Sequence, residues 1–215
     1  MPGEGGLPPS PQPWDFQVTV AGYGENIARS MGVAKPGGPM GFLEMFVRGA
    51  FMDGRVYRQA ALDTNGNGGA IFAILIPYIA AAIGSSLIGL GFSRFFGMYA
   101  VYTMTVSLVI GVFSMVVALY VMSMLSQSIT GWKLGFGQIF RALAYAQSPG
   151  VMGIIPFIGW LFGLWRIPTS LAAIREISGG DTGKAAILLV IGGVAAVLLT
   201  LVLSPLLLAG FMFLR

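Results

Sequence analysis

Residues 185–214 read AAILLVIGGVAAVLLTLVLSPLLLAGFMFL, thirty positions without a charge. A membrane span needs only about 20 apolar residues at about 1.5 Å each, so this stretch alone is long enough to cross a bilayer. Three further stretches are uncharged, at 64–93, 95–132 and 142–165. Composition agrees over the whole chain. Of its 215 residues 56% are hydrophobic and 9% charged, against roughly 45–50% and about 25% in an ordinary soluble domain. A compact soluble fold of this size leaves much of its chain at the surface and needs a charged shell to cover it. Lipid removes that need. The expectation is an all-α, polytopic transmembrane helical bundle.

Helices are expected near 69–92, 98–126, 134–155, 157–177 and 184–213, about five spans. Gln138, Arg141, Gln147, Pro149, Pro156 and Arg166 interrupt the third and fourth, so a kinked or re-entrant pair is the alternative there. Lys and Arg collect in short cytoplasmic loops. Five spans with the N-terminus inside put Arg29, Lys35, Arg48, Arg55, Arg58, Lys133, Arg175 and Lys184 on the cytoplasmic side, with Arg141 near it, and Arg94 and Arg215 outside. Merging the third and fourth spans would move Arg175 and Lys184 outward and weaken that asymmetry. The location expected is a cell (inner) membrane. Phe92, Phe95, Phe96, Tyr99 and Tyr102 around Arg94, and Trp132 before Lys133, suit the headgroup region.

Ahead of the spans, residues 1–40 hold seven of the twelve prolines and read as an extended Pro/Gly-rich cytoplasmic tail. Trp14, Phe16, Val18, Val20 and Tyr23 are its candidate docking anchors. The opening residues have neither the basic start nor the apolar run of a secretory signal, so insertion is expected to rely on an internal span. The membrane domain, 41–215, begins with an amphipathic interfacial helix over 41–62, whose Arg48, Arg55 and Arg58 would face lipid headgroups. A plain surface helix packed on the bundle is the alternative. The segment from Asp63 through Asn65 and Gly69 reads as a turn with capping residues. Small residues four apart, at Ala81, Ser85 and Gly89, Ser114 and Ala118, Gly159 and Gly163, and Gly192 and Ala196, mark close helix packing, with a homo-oligomer face as the other use.

Several of these segments carry a family resemblance. FMDGRVYRQAALD at 51–63, followed by GGAIFAIL at 68–75, is similar to the short helix and turn before the first membrane helix of the Yip domain family. RALAYAQSP at 141–149, GIIPFIGWLFGLW at 153–165 and LAAIREISGGDTGKAA at 171–186 continue the likeness, and the bacterial branch is the one the chain resembles. The resemblance covers roughly residues 45–205. It implies a five-helix membrane domain with a cytoplasmic N-terminal region. Eukaryotic members are linked to vesicle trafficking, but their Asp-Leu-Tyr-Gly-Pro type of motif has no counterpart here, and Arg166 and Pro168 break the apolar run expected after Trp165.

The chain has no cysteine and no histidine, which removes disulfides, thiolate chemistry and imidazole-held cofactors. No cofactor or metal is expected. Its twelve basic residues are spread along the chain rather than clustered, so nucleic acid is not an expected partner. GGDTGKAA at 179–186 fails as a phosphate loop, because Ser178 stands where the first glycine belongs and Ala185 where a hydroxyl must hold magnesium. A turn capped by Asp181 and Thr182 is the simpler reading.

Arg166 is the most unusual residue, because a charge near the centre of a membrane helix costs about 2.5–3.5 kcal/mol on insertion scales. It reads either as a contact for a lipid headgroup, an anion or a partner carboxylate, aided by Arg141 and Gln147, or as a side chain snorkelling to the interface beside Trp165. Transport would call for acids deep in the spans or for repeated halves, and neither is evident. Paired carboxylates for catalysis are absent from the spans. The expectation is a non-catalytic membrane protein that organises, assembles or stabilises partner membrane proteins, such as an accessory subunit of a respiratory or photosynthetic complex. A small-solute or ion transporter, or a lipid or trafficking factor, is the alternative.

Overall fold

The computed structural model describes residue 7 and residues 15–33, 39–90, 94–155 and 159–213. Side chains are described throughout these segments except at 82, 85–90, 94–108, 160 and 206–213. Among the described residues there are eight α-helices, one 3-10 segment and no strand. In chain order they are α1 (Asp15–Ser30), α2 (Phe42–Ala50), α3 (Gly54–Leu62), α4 (Asn67–Leu90), α5 (Arg94–Thr130), α6 (Phe136–Ala146), the 3-10 segment Ser148–Ile154, α7 (Gly159–Ile177) and α8 (Thr182–Phe213).

The chain is all-α, as its charge pattern predicts. Among the described residues two helices, not five, are long and apolar enough to cross a membrane, over Val109–Thr130 and Thr182–Pro205, and Asn67–Ala81 is a shorter apolar run. Of the three expected spans that differ, the first, α4, has its side chains at 82 and 85–90 outside those described, and the third and fourth have local causes. The stretch 134–155 is not one helix: α6 ends at Ala146 and the chain tightens into the 3-10 segment, with Pro149 lacking the N–H that an α-helix would use there. The expected fourth span is a continuous helix, α7, running through Pro168, but its 19 residues include Arg166, Arg175 and Glu176. On α5, Val109, Phe113, Val116 and Tyr120 are exposed, and on α8 so are Ile187, Val190, Val194, Val197 and Leu201. These are apolar stripes at helical spacing with no protein over them.

Small residues set the close contacts, though not all the expected ones. A Cβ on Gly192 of α8 would lie 2.8 Å from Met122 of α5, and the same two helices share a hydrogen bond of 3.0 Å between the hydroxyls of Ser114 and Thr200. A Cβ on Gly159 would fall 2.7 Å from Gly153 Cα, whereas Gly163 has nothing within 4 Å and is not a packing position. Ala196 packs, partly buried, against the core. The 3-10 segment lies on α4, where Gly84 approaches the Gly153 carbonyl so closely that a Cβ would stand 2.1 Å from it. Ala81 meets Gly153 in the same place, while the surroundings of Ser85, Gly89 and the aromatic group around Arg94 lie outside those described.

The N-terminal expectations change most. Residues 15–30 form a helix rather than an extended tail. The prolines that argue for extension fall at 2–13 and at 36 and 39, leaving a proline-free run between. Within that run Gln17, Gly24 and Ala28 recur on one face and are buried. The expected helix over 41–62 is two helices, broken where Met52 adopts φ 58° and Asp53 accepts a hydrogen bond of 3.1 Å from the Arg55 amide to cap α3. The turn after α3 is as expected, with the Asp63 carboxylate accepting from the Asn65 amide at 3.0 Å.

Candidate functional site

One end of the bundle is a polar cap, built where α1, α2 and α3 meet the ends of α6 and α7. Arg48 is its hub. It donates to Glu44 at 2.8 Å and through Nε to Asp53 at 2.7 Å, and Glu25 of α1 lies 3.6 Å away. Glu44 and Asp53 are 2% and 3% exposed, so their charges depend on this partner. Arg55 extends the chain of contacts to Asp53 at 3.2 Å and to Glu25 at 2.8 Å, while Glu25 also pairs with Arg29. That hydrogen bond from Arg55, with the charges of Arg48 and Arg29, holds the Glu25 carboxyl below its ordinary pKa, although burial acts the other way.

Gln17 fastens α1 a second time. Its amide donates to the Met52 carbonyl at 3.0 Å and its oxygen accepts from Arg175 at 3.2 Å. Beneath it Tyr57, fully buried, donates to the Gly49 carbonyl at 2.7 Å, and burial pushes its phenol well above the usual range. Arg58 reaches the Glu176 carbonyl at 3.3 Å and its carboxylate at 3.8 Å.

The three arginines expected at lipid headgroups are thus drawn into protein contacts, because Glu44 of α2, Asp53 at the cap of α3, Glu25 of α1 and Glu176 of α7 compete for them. Arg141 is also structural. Only 6% exposed, it donates to the carbonyls of Ala60 and Ala61 at 2.9 and 2.7 Å and to Asn67 at 3.0 Å, closing the orphaned C-terminus of α3. Arg141 does not converge with Arg166.

The expected aromatic anchors keep much of their surface uncovered by the rest of this chain. Tyr23 is 63% exposed and Phe16 55%, the latter touching Trp165 edge-on at 6.2 Å, and Val18 is exposed too. Val20 packs partly buried on the core, and Trp14 lies outside the described residues. The polar residues Gln17 and Glu25 hold the helix instead. Sequence reading missed them because polar anchors carry no hydrophobic signal, although the spacing of Gln17, Gly24 and Ala28 is visible.

A second site lies deeper. Arg166 stands 11 residues before Ile177, and Tyr78 stands 11 after Asn67, which places both about 16 Å along the bundle from its polar end. The Arg166 guanidinium sits over the Tyr78 ring at 6.0 Å from its centroid. Its Nε is buried and donates to no atom. It borders a cavity of about 540 Å³ between α4, α5, α6, α7 and α8, which Gln147, Ser170, Ser114 and Thr200 also line. Gln147 donates to Ser170 at 3.4 Å, and both border the same cavity as Arg166. Gly150 makes the seat: a Cβ there would be 1.7 Å from the guanidinium. The loop at 179–186 has no such role. Asp181 accepts from the Lys184 amide at 3.1 Å and caps α8. Among the described residues no group of His, Cys, Asp and Glu could hold a metal.

The chain matches no family model, and no curated protein or solved structure resembles it.

Proposed function

We propose that this is an integral membrane protein of about five spans, without catalytic activity of its own, which organises or stabilises partner membrane proteins through its cytoplasmic cap. Three helix ends support the topology. The start of α4 meets Arg141 of α6, the end of α5 meets Leu134 just before α6 through Ser123 and Ser126, and the end of α7 meets Gln17. All lie at the polar end. The 3-10 segment after α6 meets Gly84, 17 residues beyond Asn67, or about 26 Å deep in a core about 30 Å thick, and the start of α7 at Gly159 meets the same segment at Gly153. A broken third span and a fourth span that returns from the same depth give five passes with the N-terminus inside. The quoted Yip-like segments favour the same topology.

The observation that carries the association reading is α1. It is anchored by Gln17 and Glu25 yet leaves Phe16, Val18 and Tyr23 exposed on the cap, where a partner can cover them. Its carboxylates serve its own architecture, since Glu25, Glu44, Asp53 and Glu176 all face arginines. The test is purification of the tagged chain in mild detergent beside Phe16→Ser/Val18→Ser/Tyr23→Ser. Partners lost with the triple variant at unchanged melting temperature support the reading, and partners fully retained overturn it. The break at Ser148–Ile154 favours transport as a second reading, because discontinuous helices line solute sites; solute flux by the pure chain in liposomes tests it.

A further inference from the structure

We propose that the cavity beside Arg166 binds the phosphate head of an anionic phospholipid, which enters sideways between α7 and α8. The inference rests on the membrane placement proposed above, which labelling of single introduced cysteines reads independently of lipid binding.

Arg166 differs from the other arginines whose contacts are described. Arg29, Arg48, Arg55, Arg58, Arg141 and Arg175 each reach a protein oxygen. The Arg166 guanidinium has the face of Tyr78 and a buried Nε with nothing to donate to. A charge kept at that depth is expensive unless an anion or water reaches it, and phosphates drawn into the bilayer by local thinning are a known compensation. Burial also explains why phosphate suits it: an oxyanion accepts from several guanidinium N–H groups at once.

The cavity has the two chemistries that an amphiphile requires. Gln147 and Ser170 flank Arg166 with donors for further phosphate oxygens, while Met122 and Leu189 give an apolar wall for a chain. Its lips are Ile167 on α7 and Val190 and Gly193 on α8, all exposed and uncharged. A phospholipid can lay its acyl chains along such lips while its phosphate reaches the arginine, whereas a free ion gains nothing from apolar lips. Phosphate oxyanion chemistry is common to both sources, and the opening favours the lipid. Gly150 fits the same picture. It leaves the space in which the guanidinium lies, and any side chain there would push the arginine's flexible end off its seat.

Native mass spectrometry of the full chain in neutral detergent tests this, with phosphatidylglycerol and phosphatidylcholine supplied in equal amounts. The wild type should retain the anionic lipid over the zwitterionic one by roughly tenfold, the size of one charge-assisted contact. Arg166→Gln should bring the preference close to one, and Arg166→Lys should keep part of it. Gly150→Ala keeps the charge but displaces it, so it should lose preference too, and it carries the test if Arg166→Gln does not fold. Lys133→Gln/Lys184→Gln removes surface charge and should change nothing. A preference that survives both Arg166→Gln and Gly150→Ala, or one that vanishes in the lysine variant, overturns the proposal. Inorganic phosphate at millimolar concentration should leave the bound lipid in place; if it displaces the lipid and raises the melting temperature of the wild type but not of Arg166→Gln, the site belongs to a free anion and the lipid assignment fails.

Discussion

Arg48 shows how much one side chain carries in the cap. Two buried carboxylates, Glu44 and Asp53, lie within hydrogen-bond distance of it, and removing the cation strands both. Breaking a buried pair in this way costs about 3–5 kcal/mol. Arg48→Ala should therefore lower stability by that order, read by thermal or denaturant unfolding in detergent. Arg48→Lys should recover only part, because a single ammonium cannot serve both acids with the geometry of a guanidinium. An alanine variant as stable as the wild type would remove Arg48 from its place as hub. Glu25 gives a pH-dependent counterpart. Its pKa is lowered in the folded chain, mainly by the hydrogen bond from Arg55, so its contribution is present above the ordinary carboxylate value of 4.5 and is lost as pH falls through and below it. Limited proteolysis of α1 should accelerate on acidification below that value, and Glu25→Gln should cleave readily at neutral pH with a flatter response. Equal acid sensitivity in the variant would show that another group governs release of α1.

At the level of elements, the contact between α4 and the 3-10 segment depends on the absence of side chains. A Cβ on Gly84 would meet the Gly153 carbonyl at 2.1 Å, and backbone cannot swing aside as a flexible side chain can. Gly84→Ala should force the segment off α4 and cost about 1–3 kcal/mol, as overpacking does. Gly163→Ala, facing open space, should be neutral or stabilising by up to about 1 kcal/mol, since alanine is the better helix former. Melting temperatures of the two variants decide the matter, and a Gly84→Ala chain that melts with the wild type would contradict the described packing. From the sequence, Gly163 belongs to a small-residue pattern and Gly84 to none of those singled out, the reverse of their use in the packing. Spacing identifies positions where helices can approach, but which of them do depends on the rotation of each helix about its axis, and that is settled by neighbours far away in the chain.

For the whole molecule, the proposed topology puts the cap and the starts of α4, α6 and α8 on the cytoplasmic side. The chain has no cysteine, so single introduced thiols report cleanly. A cysteine at Ser128 or Lys184 should be labelled only after the membrane is opened, and one at Ser93, in the connection between α4 and α5, should be labelled from outside. Reversal of either result would overturn the orientation. The depletion of charge and the length of the apolar runs were enough to dictate an all-α chain with bilayer-length helices, because burying a charge or an unpaired backbone group in lipid is costly wherever the residue sits. They could not dictate which cations are used up. Arg141 finds its acceptor 81 residues away and Arg175 finds Gln17 158 residues away, so both look as free in the sequence as Arg166 does. The helical tail was hidden for a related reason: its composition suggests disorder, and only the surface formed by α2, α3 and α7 supplies partners for Gln17 and Glu25. Local chemistry decides what must avoid water, and long-range packing decides which polar groups find a partner and which one is left open to a ligand.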